Sequence, residues 1–378
     1  MITTLTYLLN QMNKDKIAEL KKRQIELEYL ISEYDVDQNA LKVLANSGYG
    51  ALGNKYFRYF KIENAEAITL TGQWIIQTIE KNLNQFISKL LNENEIKDRV
   101  VLMDTDSVYL ELNDIINQLP NNDSLTTTEL IDFLDSFSKE FISKEIQRTI
   151  KDIENKLSAF PNYLSMKREN IADKMIISGK KRYVMNVYDS EGVRYPIPKK
   201  KIMGIESVRS DVPPLCRKLI KDTIYQMFEL DNDGMIDYIE SCKKKILTEE
   251  DLTQICFPTG VNGMVKYYDE ESYYKSGTGQ HIRAALRFNR FIKENNLLHK
   301  YQPIKDGDNI LYACLKLPNY LIEDVIAWNT NTIPPELRME KFIDKEHHLY
   351  IGYLRPIERI MEAINMKMEK EIDISDFF

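Results

Sequence analysis

Cysteine and histidine are scarce in this sequence, and their scarcity argues against two kinds of site. The 378 residues include four of each, and the cysteines lack the short spacings of a zinc site or of a disulfide framework. No apolar run approaches the length that spans a membrane. Internal repeats and low-complexity tracts are also absent. We therefore expect a reduced, cytoplasmic, globular protein with no membrane partner.

The sequence also lacks an excess of positive charge. Its net charge is −7, whereas proteins that bind nucleic acid usually carry a basic surface. The basic residues are nevertheless clustered, at 21–23, 180–182 and 199–201. Such clusters can form a local positive track on an acidic body, so the net charge alone does not exclude nucleic acid.

Two aspartates stand between two short apolar segments in the stretch 98–112. The segments 100–102 and 108–110 are rich in β-branched and aromatic residues and predict two strands. Asp104 to Ser107 consists of turn-forming polar residues, so the pattern predicts a β-hairpin with two carboxylates at its tip. Neighbouring carboxylates repel each other unless a cation neutralises them, and oxygen ligands suit Mg²⁺. By itself, an Asp-Thr-Asp sequence is better explained as an ordinary turn.

A second pattern places a cation, an amide and an aromatic ring on one helix face. Lys42, Asn46 and Tyr49 are spaced i, i+4 and i+7. This set suits a phosphate chain and a stacked base or sugar. The alternative is a solvated lysine and a tyrosine packed in the core.

Apolar periodicity predicts the remaining elements. An antiparallel helical hairpin is expected from helices over 5–31 and 39–49, joined by a polar turn at 32–38. Three short strands are expected at 174–178, 182–188 and 193–196. Further helices are predicted over 65–91, 127–157, 215–229, 233–246, 281–295 and 356–370.

Three motifs resemble those of family B DNA polymerases and occur in the family's order. Lys42 to Tyr59 resembles the fingers-helix motif, which reads Lys, three residues, Asn-Ser, one residue, Tyr-Gly. Asp104 to Ser107 resembles the second catalytic aspartate motif, and Gly179 to Tyr183 resembles the primer-gripping Lys-X-Tyr element. Within the family the likeness is strongest to the replicative enzymes of T-even bacteriophages, and it extends to 201–206, 281–283 and 326–328.

The resemblance implies an α+β fold with a right-hand architecture that lacks the N-terminal and exonuclease domains. Its expected parts are a helical fingers hairpin, a partial antiparallel-sheet palm, a mainly helical thumb and a clamp-binding tail. These parts correspond to residues 1–60, 61–211, 212–370 and 371–378.

The resemblance also implies a DNA-directed DNA polymerase that adds dNTPs to the primer 3′ end of primer-template DNA. Asp106, supported by Asp104, would bind two Mg²⁺ ions, for which Mn²⁺ can substitute. Lys42 would hold the triphosphate, with Asn46 and Tyr49 lining the base-pair pocket. The other implied residues are Lys16 for the nucleotide, Thr105, Ser107 and Glu169 for support of the metals, Lys180, Lys181, Tyr183, Arg209, His281 and Arg283 for DNA, and Ile374, Phe377 and Phe378 for a sliding clamp. For His281 and Arg283, the start of a surface helix is an equally good explanation.

Three family features are missing. The earlier Asp-X-X-Ser-Leu-Tyr-Pro-Ser motif, which supplies a third carboxylate, is absent, and no Asp-X-Glu exonuclease motif lies upstream of the fingers-helix motif. Met12 stands where the family usually has an arginine. We therefore expect a separate N-terminal chain to supply the other catalytic aspartate and the 3′–5′ exonuclease. The alternatives are a catalytically silent DNA- and clamp-binding remnant, or a metal-dependent nuclease, which would leave Lys42 and Tyr49 unexplained.

Overall fold

The computed structural model describes residues 2–120, 122–157 and 164–369. They form two compact units of helices and small antiparallel sheets, which is an α+β composition. The first unit comprises the described residues of 1–125 and 137–167, and the second those of 126–136 and 168–378. No helix among the described residues is both long enough and apolar enough to cross a membrane.

The first unit begins with a single long helix, α1 (Ile2–Leu52). The prediction of two helices joined by a turn is therefore wrong, because 32–38 lies inside this helix. That segment contains neither glycine nor proline, and its polar side chains remain exposed. Its backbone hydrogen bonds therefore continue unbroken. The helix ends just before Gly53, where the chain enters a series of tight turns.

Helix α2 (Ile62–Leu90) forms the core of the first unit. Its fully buried residues Ile79, Leu83 and Ile87 recur every four positions and so line one face. The predicted hairpin is confirmed as antiparallel strands β1 (Val100–Asp104) and β2 (Ser107–Leu110), which pack beside α2. A short helix, α3 (Asn113–Asn117), follows.

The helix predicted over 127–157 is confirmed. It consists of α4 (Thr127–Phe137), a π-helical turn (Ser138–Ile142) and α5 (Ser143–Leu157). A capping box begins it: the Thr126 amide donates to Glu129 Oε2 at 2.8 Å, and the Glu129 amide donates to Thr126 Oγ1 at 3.3 Å. In the first unit, α5 packs against α2.

The second unit continues with an antiparallel sheet. Strands β3 (Asn170–Gly179), β4 (Arg182–Ser190) and β5 (Val193–Met203) lie in sequence order. They confirm the predicted strands and are longer than predicted. The elements that follow are α6 (Pro214–Gln226), α7 (Asn232–Thr248), β6 (Phe257–Gly260), α8 (Met264–Tyr267), β7 (Tyr268–Asp269), β8 (Tyr273–Tyr274), α9 (Gln280–Glu294), β9 (Asn309–Cys314), β10 (Val325–Trp328), α10 (Lys345–Leu349), a π-helical turn (Tyr350–Leu354) and α11 (Arg355–Ala363).

Two hydrophobic cores stabilise the second unit. The first forms where α6, α7 and α11 pack together with β3 and β4, and it includes Ile220 and Tyr353. The other surrounds Phe288 and Trp328, between α9 and a second sheet of order β10-β9-β6. This second sheet was not predicted from the sequence. All four residues of β10 are buried, so the strand shows no alternation of polar and apolar residues.

The last helix is shorter than predicted. It ends at Ala363, not at 370. Asn365 adopts a left-handed conformation with φ of 58°, which is a common way for a helix to terminate.

Candidate functional site

The tip of the β1–β2 hairpin brings the two predicted catalytic aspartates into one tight turn. Asp104 pairs with Ser107 in the ladder, which leaves Thr105 and Asp106 as the loop. The Asp106 amide donates to the Asp104 carbonyl at 2.6 Å. Thr105 has φ of 53°, a left-handed conformation that is rare for a β-branched residue. Such strain costs about 1–3 kcal/mol and persists only where the surrounding structure imposes it.

The side chains at the tip have different environments. Asp104 is half-buried, and its Oδ1 accepts a hydrogen bond from Thr105 Oγ1 at 3.1 Å. Ser107 Oγ donates to the Asp104 carbonyl, also at 3.1 Å. Asp106 is exposed. The turn therefore holds Asp104 in place and leaves the carboxylate of Asp106 open to a ligand.

The donor set fits a divalent cation but does not complete a site. Mg²⁺ in proteins is commonly held by one or two carboxylates together with water and substrate phosphates. Within the described ranges, no three His, Cys, Asp or Glu side chains come together as a metal-ligand group.

Arg99, at the base of the hairpin, is a residue that the sequence analysis missed. It lies directly before β1, is 4% exposed, and bonds to Ser88, Glu93 and Asp114. Hydrogen bonds from Arg99 and Lys97 lower the pKa of Glu93 to about 2. No local pattern marks this arginine, because its partners are spread over 27 positions of the sequence.

The predicted nucleotide-binding residues lie along α1. Lys16, Lys42, Asn46 and Tyr49 are all exposed, so the structure does not bury them against the hairpin. The spacing of the last three places them on one helix face, as predicted. Their contact with a nucleotide stays a prediction. The side chain of Met12 lies outside what the structure describes.

Glu169, predicted to support the metals, is paired within the second unit. Its Oε1 accepts from Lys201 Nζ at 2.9 Å, and this bond lowers the pKa of the carboxyl. Glu169 lies directly before β3 and Lys201 lies on β5. Support of the metals by Glu169 stays a prediction.

The predicted primer grip is the turn between β3 and β4. Lys180 and Lys181 form its exposed tip, and Lys181 has φ of 59°. Gly204 is required beside it, because a Cβ there would lie 2.0 Å from the Lys181 carbonyl oxygen. Tyr183, by contrast, is 4% exposed and its ring packs in the protein. The two lysines are therefore better placed than Tyr183 to reach a backbone phosphate.

Both arginines predicted to contact DNA are engaged by carboxylates of the chain itself. Arg209 bonds to both oxygens of Asp211, at 2.9 and 2.6 Å. Arg283 bonds to both oxygens of Asp324, each at 2.8 Å. This pairing favours the structural explanation for Arg283. His281 is half-buried, which lowers its pKa. The predicted clamp-binding residues are Ile374, Phe377 and Phe378, which lie outside the described residues.

The chain matches known proteins along most of its length. Residues 3–119 and 135–364 match the model of DNA polymerase family B, and the matched ranges include the hairpin. The DNA-directed DNA polymerase of Escherichia phage RB69 is 30% identical over 89% of this chain and 38% of its own length. That of Enterobacteria phage T4 is 27% identical, over 98% of this chain and 42% of its own length.

A more distant relative is the DNA polymerase of Paramecium bursaria Chlorella virus NY2A, which is 26% identical over 63% of this chain. The chain spans about two fifths of the length of the two phage polymerases. The family model, however, covers well over half of this chain, and it includes all three motifs that carry the resemblance. On this evidence, the chain belongs to family B of the DNA polymerases.

Proposed function

We propose that this chain is the C-terminal part of a DNA-directed DNA polymerase, which adds dNTPs to the 3′ end of a primer. The observation that carries the proposal is the β1–β2 tip, where Asp104 and the exposed Asp106 flank a strained Thr105. Membership of the family supports the same reaction. The proposed layout is fingers over 1–60, palm over 61–211 and thumb over 212–370.

Asp104 and Asp106 would hold Mg²⁺, or Mn²⁺ in its place. When bound, two such ions activate the primer hydroxyl and neutralise charge on the leaving pyrophosphate. Thr105 and Ser107 keep Asp104 oriented through the contacts of the turn, while Asp106 remains free to bind. The two residues thus have separate roles, with Asp106 the principal ligand.

The remaining contacts follow from exposed cations. Lys42 would bind the triphosphate of the incoming nucleotide, because its exposed ammonium group can meet phosphate oxygens. Lys16 lies 26 residues earlier on the same continuous helix, about 39 Å away at about 1.5 Å per residue, so the two lysines cannot bind one triphosphate together along a straight α1. Lys180 and Lys181 would bind the primer backbone. Such phosphate contacts do not depend on base identity, as replication of every sequence requires.

The proposal includes two protein partners. A separate N-terminal chain would supply the third carboxylate and the 3′–5′ exonuclease. The earlier motif that carries this carboxylate in the family does not occur in this sequence. A sliding clamp would bind the tail at 371–378, whose aliphatic and aromatic residues suit a hydrophobic pocket.

Primer extension tests the proposal. We expect the chain to extend a primer only when mixed with the complementary N-terminal polypeptide. Asp106→Asn should then reduce the rate at least about a hundredfold, the scale of losing one charged group that stabilises a transition state. Asp233→Asn, an exposed aspartate on α7, is the matched control and should leave the rate unchanged.

Two outcomes would contradict parts of this proposal. Full extension by the chain alone would disprove the need for the N-terminal partner. DNA binding without extension, in every mixture that contains the complementary polypeptide, would favour the silent remnant.

A further inference from the structure

We propose that Arg99 is a positioning residue, which orients the Asp104–Asp106 tip by fixing both roots of the hairpin. The inference rests on the proposed function, which assigns metal binding to the two aspartates at the tip. Its structural part can be tested without catalysis.

The backbone of Arg99 ties the first strand to its neighbours. Its amide donates to Asn84 Oδ1 on α2 at 2.9 Å, and its carbonyl accepts from the Glu111 amide, just after β2, at 2.9 Å. Asn84 Nδ2 also donates to Asp98 Oδ1 at 2.9 Å. The start of β1 is thus joined both to α2 and to the chain that leaves β2.

The side chain of Arg99 makes a second connection to α2 and joins it to two further segments. One terminal nitrogen of the guanidinium, Nη1, donates to Ser88 Oγ on α2 at 3.1 Å. The other terminal nitrogen, Nη2, donates to Glu93 Oε1 at 2.7 Å and to Asp114 Oδ2, on α3, at 2.6 Å. The side chain of Arg99 is 4% exposed and that of Glu93 is 17% exposed, so the bond between them is little screened by water. Asp114 is 48% exposed, so its bond to Arg99 is screened more strongly. A single buried group therefore holds the helix before the hairpin and the helix after it.

The hairpin itself provides little orientation at this end. Its register is irregular between Val100 and Leu102, so the ladder is disturbed directly after Arg99. Two strands of four and five residues are also marginally stable without outside packing. The direction of the hairpin must therefore be fixed by contacts outside its own ladder, which are those at its roots and the packing of its strands beside α2.

A small rotation at the root of the hairpin produces a large displacement of the side chains at its tip. Asp104 lies five positions beyond Arg99, which is about 17 Å at about 3.4 Å per residue. A rotation of about 5° at the root would move the carboxylates by about 1.5 Å, whereas catalytic groups must be held within about 0.5 Å. Loss of the contacts of Arg99 is therefore expected to misplace Asp104 and Asp106 without changing either residue.

Hydrogen–deuterium exchange of the whole chain tests the structural part. The variants are Arg99→Met, Arg99→Lys and Ser88→Ala, which removes one contact only. Lys97→Met is the matched control, because Lys97 contacts the same two carboxylates, at 2.7 and 3.8 Å, but is 60% exposed. We expect Arg99→Met to speed exchange in 98–112 at least about tenfold. Arg99→Lys and Ser88→Ala should have smaller effects in the same segment, and Lys97→Met should have none there.

Mn²⁺ binding and primer extension, the latter with the complementary polypeptide, test the functional part. We expect Arg99→Met to lower Mn²⁺ affinity and kcat about 10–100-fold, the usual loss when a residue that orients a metal ligand is removed. Arg99→Lys should retain part of the Mn²⁺ affinity and of kcat that Arg99→Met loses. The KM for the DNA should not change in either variant.

The failures of the two proposals can be told apart. Unchanged exchange in 98–112, or unchanged Mn²⁺ affinity and kcat in folded Arg99→Met, would overturn the inference about Arg99. If Asp106→Asn retained full extension, the proposed function would fail instead, whatever the exchange data showed.

Discussion

The role of Arg283 can be decided by comparing stability with DNA binding. The resemblance to family B predicts that this arginine contacts the DNA backbone, whereas the structure pairs it with Asp324 through two hydrogen bonds of 2.8 Å. Its side chain is 20% exposed and also lies over the ring of Tyr274, 5.6 Å from the centroid. Arg283→Met keeps much of the apolar stem and removes the charge.

The structural role predicts a moderate loss of stability. Two charge-assisted bonds would contribute about 3 kcal/mol or more if fully buried, but Asp324 is 44% exposed. Screening by water reduces the expected loss to about 1 kcal/mol. For a unit of this size, that loss lowers the melting temperature by about 2–4 °C. Asp324→Asn should produce a similar change, because it breaks the same pair.

The salt dependence of DNA affinity provides the second measurement. Each phosphate contact contributes about 0.9 to the slope of log K against log salt concentration. We expect Arg283→Met to leave this slope unchanged, and Lys180→Met, at the exposed β3–β4 turn, to reduce it by about 0.9. A reduced slope in Arg283→Met with no loss of stability would refute the structural role.

Two further predictions concern stability. The pKa of Glu93 is about 2 in the folded protein, below its ordinary value of 4.5, so its ion pair stabilises the fold above pH 4.5. The free energy of unfolding should therefore fall as the pH drops from 4.5 towards 2. Glu93→Gln should make this fall less steep, and an equally steep fall in the variant would contradict the prediction. Burial lowers the pKa of His348 below 6.5 while its ring accepts from the Cys314 amide. The imidazole therefore binds its proton at a higher pH in the unfolded chain than in the folded protein, and stability should fall as the pH drops below 6.5. Urea unfolding at a series of pH values measures this fall, which His348→Phe should abolish.

Local patterns in the sequence determined much of the candidate site. The strands and turn around Asp104 were predictable, because β-branched residues and turn-forming polar residues act over a few positions. The same is true of the helices at 65–91 and 127–157 and of the β3–β5 sheet. The common face of Lys42 and Asn46 follows from helix geometry alone.

Tertiary structure decided the features that depend on distant partners. The continuity of α1 through 32–38 could not be distinguished from a turn, since a polar segment without glycine or proline is compatible with both. The pairing of Arg283 with Asp324 joins residues 41 positions apart, and the fully buried strand β10 has no alternation to reveal it. Arg99 likewise acquires its place only when α2, β1 and α3 meet. Contacts of this kind arise from packing between segments that are far apart in the chain, and no local pattern of residues encodes them.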